Sequence, residues 1–123
     1  MPPNIVVVNG ADAIVPKIQE GPGTFTDLVG SSESAEHPIV AGIWHVSDLD
    51  ETTPGWKADW DEVKYILSGE LVIKNECNGE ISTLTAGSLL WIPAGSQMSI
   101  IRSKRVRVLY VEQARREAEF GSG

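Results

Sequence analysis

A carboxylate and an amine two residues apart, Glu62 and Lys64, lie in Asp61–Gly69 (DEVKYILSG), a stretch whose β-branched and aromatic residues read as strand. Alternate side chains of a strand share a face, so the two can meet. A carboxylate buried among aromatic residues is desolvated, which raises its pKa and lets it act as general base or acid. A neighbouring ammonium pulls the other way, or stabilises an enolate or phenolate forming on a substrate. The same contact is equally readable as a satisfied ion pair with no chemistry. Other candidates are sparse. His37 precedes Pro38 in a loop, and His45 lies near the end of a strand, where it is either a second proton carrier or a surface residue. Cys77 stands beside Asn78-Gly79 and reads as a turn residue. Trp44, Trp56, Trp60 and Trp91 could stack a planar substrate or fill the core.

A transition-metal site needs several N, O or S donors converging at about 2 Å. His45 with Glu62 would leave most of such a shell to water, so neither a metal nor another cofactor is expected. Ten basic against 17 acidic residues give a net charge of −7, which argues against nucleic acid or an anionic membrane surface as partner. The charges are segregated. Asp48, Asp50, Glu51, Asp59, Asp61 and Glu62 crowd one segment, and Arg102, Lys104, Arg105 and Arg107 another. Either the two are neighbours that neutralise each other, or the basic group is a rim that attracts an anionic substrate. No apolar run approaches the roughly 20 residues of a membrane span, and Met1–Gly10 does not read as an export signal. With a single cysteine, a soluble cytoplasmic protein is expected.

The elements that must position these residues are strands. The dominant period is two, and apolar runs are separated by Gly, Pro, Asn and Asp. Ile5–Val8, Ile14–Ile18, Thr24–Val29 and Ile39–Val46 are candidate strands, with Pro16 consigning the second to an edge. Asp48–Gly55 reads as a surface connection. Between Glu70 and Thr85 two alternating runs flank Asn78-Gly79, a dipeptide that supplies the positive backbone dihedrals of a tight hairpin turn. Ser88–Ile92, Met98–Ile101 and Val106–Val111 complete roughly ten short strands. Residues 112–119 (EQARREAE) are rich in helix formers and predict a short C-terminal helix. The 123 residues suit one domain, with N-terminal strands in 1–36, a core barrel in 37–111 and the helix in 112–119. Periodicity alone leaves a sandwich and a jelly roll equally open.

Two segments separate them. Glu62-x6-Gly69 and Gly87-x5-Pro93-x-Gly95 resemble the two motifs of the cupin family, which implies an all-β double-stranded β-helix, the jelly-roll barrel. In cupins, two histidines before the glutamate and a third in the second motif usually join that glutamate on a transition metal. Counting along this chain, the histidine positions fall on Trp56 and Ala58, or on Gly55 and Lys57 at the longer spacing, and on Met98. One ligand of four survives, Glu62. Within cupins the chain is similar to the ethanolamine-utilisation Q (EutQ-like) group through Trp60-Asp-Glu-Val63, Leu67-Ser-Gly-Glu-Leu71, Ala86-Gly87…Ile92-Pro-Ala-Gly-Ser96 and Leu109-Tyr-Val111. The likeness covers roughly Gly42 to Val111. That group also commonly lacks the paired histidines.

The resemblance implies that Glu62 points into the barrel, and parity then carries Lys64 and Ile66 with it, along with Met98 and Ile100 from the second motif. Trp44, Trp56, Trp60, Met98 and Ile100 are the expected substrate-binding residues, with Trp56 and Trp60 the first choices because they flank the former histidine positions. Glu62, Lys64 and His45 are the expected catalytic residues. Such an apolar pocket with few polar anchors suits an organic substrate of some bulk. The leading expectation is a small metal-independent lyase or isomerase acting on an aromatic or polyketide-like carbonyl compound by proton transfer. A non-catalytic binding or accessory protein of an ethanolamine-type pathway is the alternative, and would show a barrel filled with side chains. A metal-dependent oxygenase or lyase is the third reading. A homodimer is expected, because cupin barrels commonly pair through their sheets and an apolar edge strand at Ile5–Val8 would need cover.

Overall fold

The computed structural model describes residues 4–121. After a single 3-10 turn at Ala11–Ala13, eight strands follow: β1 (Ile18–Glu20), β2 (Gly23–Gly30), β3 (Val40–Val46), β4 (Trp56–Lys57), β5 (Glu62–Asn75), β6 (Ile81–Thr85), β7 (Leu89–Ile92) and β8 (Gln97–Glu112). All pairings are antiparallel. The path runs β1-β2-β3-β8-β5-β6, with β4 on β8 and β7 on β5, so the two longest strands form the spine of the roll. The expected all-β jelly roll is what these residues build.

The spine strands bend together. Gly69 has φ +83°, Arg105 opposite it has φ 55°, and the register shifts on both sides of Ser68. A side chain at Gly69 would overlap the Lys104 and Arg105 carbonyls. Arg105 is held in this left-handed conformation by its own N–H donating to Asp48 Oδ1 at 2.7 Å and its carbonyl accepting the Ser68 hydroxyl at 3.1 Å. Leu67–Leu71 is therefore a bulge inside one continuous strand rather than a turn, and Met98–Ile101 and Val106–Val111 are two parts of β8. In the β5–β6 hairpin only Gly79 has positive φ, and Asn75 pairs with Glu80 around four loop residues, so the connection is longer than the two-residue turn expected from Asn-Gly.

The strand expected at Ile14–Ile18 is displaced to β1 at Ile18–Glu20, and two expected elements do not form at all. Residues 4–8 make no strand, and Ile5 and Val7 are exposed. Residues 113–120 are not helical. Helix propensity loses there to specific docking: Ala114 is buried, and Arg115 donates to the Ser32 and Ala35 carbonyls. The backbone N–H groups of Glu119 and Phe120 donate to the carbonyls of Asp27 and Leu28 on β2.

The core fills one end of the roll. Val46, Ile66, Leu71, Ile100, Val106 and Val108 are at most 1% exposed, and Met98, Ile92, Ile73 and Leu84 pack with them. Trp44, Leu49, Trp56 and Leu90 lie half-buried against this cluster.

Candidate functional site

Beyond the core the roll opens into a cavity of about 770 Å³. Its walls are Phe25, Trp44, Trp56, Trp60, Leu49 and Pro54, and its floor is made by Glu62, Lys64, Tyr110, Glu112 and Arg116. Alternation along the spine accounts for the floor: Glu62, Lys64 and Ile66 share one face of β5, and Val108, Tyr110 and Glu112 one face of β8. The register places Glu62 directly opposite Glu112 and Lys64 opposite Tyr110.

Lys64 Nζ is 3.1 Å from Glu62 Oε2, with both side chains about nine-tenths buried. The ammonium also lies 5.3 Å from the Trp44 ring centroid and 5.8 Å from that of Tyr110, an aromatic box that favours a cation. On the other side of the floor, Arg116 donates to Asp27 through Nε (2.9 Å) and Nη2 (3.1 Å), and to Glu112 through Nη1 (3.1 Å). The Tyr110 hydroxyl donates to Asp27 Oδ1 at 2.7 Å. The floor thus carries Lys64, Glu62, Glu112 and Arg116 in a row with a cation at each end and two glutamates meeting as like charges between them, and Asp27 backs Arg116 from behind.

Burial pushes the Glu62 carboxyl above the usual carboxylate range; Lys64 pulls it back, while Glu112 raises it further by charge and by hydrogen bonding. Burial also raises the Tyr110 hydroxyl, and its bond to Asp27 adds to this, so it stays a phenol. For Arg116 burial works against the charge, and the bonds to Asp27 and Glu112 overcome it and fix the guanidinium as a cation.

The structure brings together Glu62, Lys64, Trp44, Trp56 and Trp60 around the cavity. Trp60 stands at the mouth, 45% exposed, and Trp91 is on the outside of the barrel. His45 does not join them. Trp44 faces in, so its neighbour faces out, and His45 is exposed on the outer surface opposite Arg107. Met98 and Ile100 are displaced from the expected binding wall: both sit in the packed core below the cavity. The basic rim is likewise absent from the cavity. Arg102 pairs with Glu70 on the surface at 3.3 Å, and Arg107 donates to the Asp12 and Ile14 carbonyls, so both are engaged away from the cavity. Its neighbour relation to the acidic segment holds at Leu49, which bridges Ser103, and at Asp48, which holds Arg105.

Sequence reasoning missed Asp27, Tyr110, Glu112 and Arg116. One signal was available for two of them, because parity from Val108 puts Tyr110 and Glu112 on the inner face. Gly42 is a second trace: it lies opposite Tyr110, and a Cβ there would overlap the Tyr110 side chain and the Thr26 carbonyl.

As a metal site the floor is a poor fit. Among the described residues no group of three or more His, Cys, Asp and Glu is placed to hold an ion, and both floor glutamates are already engaged by a cation.

A rolled antiparallel sheet with a cavity above its apolar core, entered from the strands of two glycine-marked motifs, is a cupin barrel. The chain belongs to the family of ethanolamine utilisation protein EutQ, whose profile matches residues 9–116. It is 38% identical over 87 residues to the acetate kinase EutQ of Salmonella typhimurium, an alignment covering 71% of this chain and 35% of that one. It thus spans about a third of the length of that curated relative. Among solved structures it is similar to an ethanolamine utilization protein Q from Salmonella typhimurium (28% identity, TM-score 0.57, covering 86% of this chain and 75% of that one). It also shares its fold with the polyketide cyclase RemF from Streptomyces resistomycificus (20% identity, TM-score 0.69, covering 92% and 82%).

Proposed function

We propose that this protein is a metal-independent lyase or isomerase that moves a proton on an aromatic or polyketide-like carbonyl compound, with Glu62 as the proton-transfer residue and Lys64 as its electrostatic partner. The observation that carries this reading is the Glu62–Lys64 pair, nine-tenths buried and 3.1 Å apart, at the floor of an aromatic cavity. A carboxyl pushed up by burial is a better proton carrier than an exposed glutamate, and an ammonium beside it offsets negative charge developing on a carbonyl oxygen. The volume of about 770 Å³ suits a flat molecule of two or more rings, held between Trp44, Trp56 and Phe25. A barrel serving only as a scaffold would have no need of such a space.

The acetate kinase activity named for the longer relative is a weaker reading for this chain. Phosphoryl transfer needs cations free to meet phosphate oxygens, whereas Lys64 is already paired with Glu62, and Arg116 with Asp27 and Glu112. The partner is thus a small organic molecule rather than a nucleic acid or a membrane, in keeping with the net charge of −7. Among the described residues no helix is long and apolar enough to cross a membrane. A second copy of the chain is the other proposed partner: Tyr65, Leu89, Trp91 and Leu109 are register neighbours on the outer face of β5, β7 and β8 and stay exposed. Light scattering on a sizing column checks it, and a strict monomer contradicts it.

The test of the activity uses exchange of the α-protons of β-tetralone, a two-ring benzo-fused ketone, followed by NMR in heavy water. The protein accelerates exchange, and Glu62→Gln at retained fold slows it by about tenfold or more. Exchange unchanged by that substitution sinks the assignment of Glu62.

A further inference from the structure

The floor of the cavity holds a second carboxylate that the reading above leaves idle. Glu112 is the direct cross-strand partner of Glu62. Opposed residues of an antiparallel pair have their Cα atoms about 4.5–5.5 Å apart and their side chains on the same face, and both of these side chains line the cavity. Each is tied to a different cation through one oxygen: Glu62 Oε2 to Lys64, Glu112 Oε2 to Arg116. Among the ion pairs of the described residues each glutamate uses one oxygen only, so the two carboxyls stand on one face of the floor with an oxygen apiece left for each other or for a ligand. Two carboxyls held face to face disfavour carrying full negative charge together, and neighbouring carboxyls of this kind can divide the roles of acid and base.

We propose that Glu62 and Glu112 work as an acid–base pair, Glu112 removing a proton next to a carbonyl and Glu62 giving its proton to a departing hydroxyl, so that the reaction is dehydration of a β-hydroxycarbonyl compound. The inference rests on the proton-transfer reading and narrows it to one reaction class. The division of labour follows from the neighbours. Arg116 is held rigidly by Asp27, which is itself fixed by the Tyr110 hydroxyl, and it presents Glu112 as a carboxylate in a set orientation. Glu62 is the buried member on which the shared proton sits, and the ammonium of Lys64 stands ready to balance the charge that appears when the proton leaves.

The step balances without a co-reactant. The α C–H bond breaks, its proton goes to Glu112 and its electron pair forms the new carbon–carbon double bond. The β C–O bond breaks, and the departing oxygen takes the proton of Glu62 and leaves as water. Glu112 then returns its proton to Glu62 across the register pair, and the floor is restored. Asp27 and Arg116 are positioning residues in this scheme, since they act through Glu112.

Two probes separate the halves of the reaction. Exchange of the α-protons of β-tetralone turns on the base, with the acid only assisting by protonating the enolate oxygen, while dehydration of the β-hydroxyketone formed from benzaldehyde and acetone, followed by the ultraviolet absorbance of the enone, needs base and acid together. The wild type carries out both. Glu112→Gln, which still offers Arg116 an acceptor, loses both by about a hundredfold. Glu62→Gln loses dehydration by about a hundredfold and exchange by a smaller factor. Should Glu112→Gln fail to fold, Glu112→Asp, which keeps the charge against Arg116 and withdraws it by one methylene, is read the same way. Exchange at the wild-type rate in the Glu112 variant overturns the pair, as does a wild type that exchanges but does not dehydrate; both leave Glu62 as a proton-transfer residue. A wild type that does neither removes the proton-transfer reading itself.

Discussion

The two ends of the barrel are built from the same two strands and have opposite chemistry. At the closed end, the inner positions of β5 and β8 are Ile66, Leu71, Ile100, Val106 and Val108, all at most 1% exposed and all apolar. Two and four residues further along the same faces stand Lys64 and Glu62 on β5, and Tyr110 and Glu112 on β8. Nothing in the backbone changes between them. A strand pair that hides hydrocarbon at one end presents a row of charged groups at the other, because Arg116 and Asp27 arrive from outside the spine to compensate it. Burying charge is unfavourable unless it is paired, so the charged end is the one whose retention calls for a functional explanation.

Breaking each end should have different consequences. Ile100→Ala, at the centre of the closed end, is expected to cost about 3–4 kcal/mol, since it leaves a cavity where repacking is limited. Urea denaturation measures it, and a cost below about 1 kcal/mol would mean that the closed end is not tightly packed. Next comes Asp27→Ala, which strips partners from the Tyr110 hydroxyl and from Arg116. A loss of about 2 kcal/mol is expected, moderated by the part of Arg116 that reaches solvent. The same variant should disturb both probe reactions by releasing Glu112, whereas Ile100→Ala should leave the rate of the folded fraction nearly unchanged.

Smaller effects sharpen the contrast. Trp60→Ala, at the mouth, is expected to weaken binding of a two-ring ketone by about tenfold without altering the rate at saturation, as removal of one stacking face does. His45→Ala should change neither stability nor rate, within about 0.5 kcal/mol, because the side chain is exposed on the outer surface. The pH dependence of stability also has a definite sign. Glu62 is shifted up in the folded state, so its contribution is fully present below the usual carboxylate range and is lost as pH rises through its folded value. The wild type should lose that increment relative to Glu62→Gln over this window, and parallel pH profiles of the two would contradict it.

How far the sequence could be read follows the same division. The barrel was legible because its glycine-marked motifs and period-two strands are local signals. The Glu62–Lys64 pair was legible because two residues on one strand face are tied by parity alone, and Trp56 and Trp60 because they flank the positions of the motif histidines. The other half of the floor depends on contacts at long range. Arg116 lies in a segment whose composition favours helix, and only the docking of that segment on β2 draws it out and aims it at Asp27 and Glu112. His45, Met98 and Ile100 were misplaced for a related reason. Parity says which residues share a face, but neither which face is inside for His45 nor how deep the packed end reaches for Met98 and Ile100.

The central claim, that Glu62 is a buried carboxyl sharing a proton with Glu112, is tested most directly by following the carbon-13 resonance of the Glu62 side-chain carboxyl as a function of pH. The account predicts an inflection above the usual glutamate value of about 4.3 in the wild type, moving down in Glu112→Gln as the neighbouring charge is removed and up in Lys64→Met. An inflection within the usual range that is indifferent to Glu112 would contradict it.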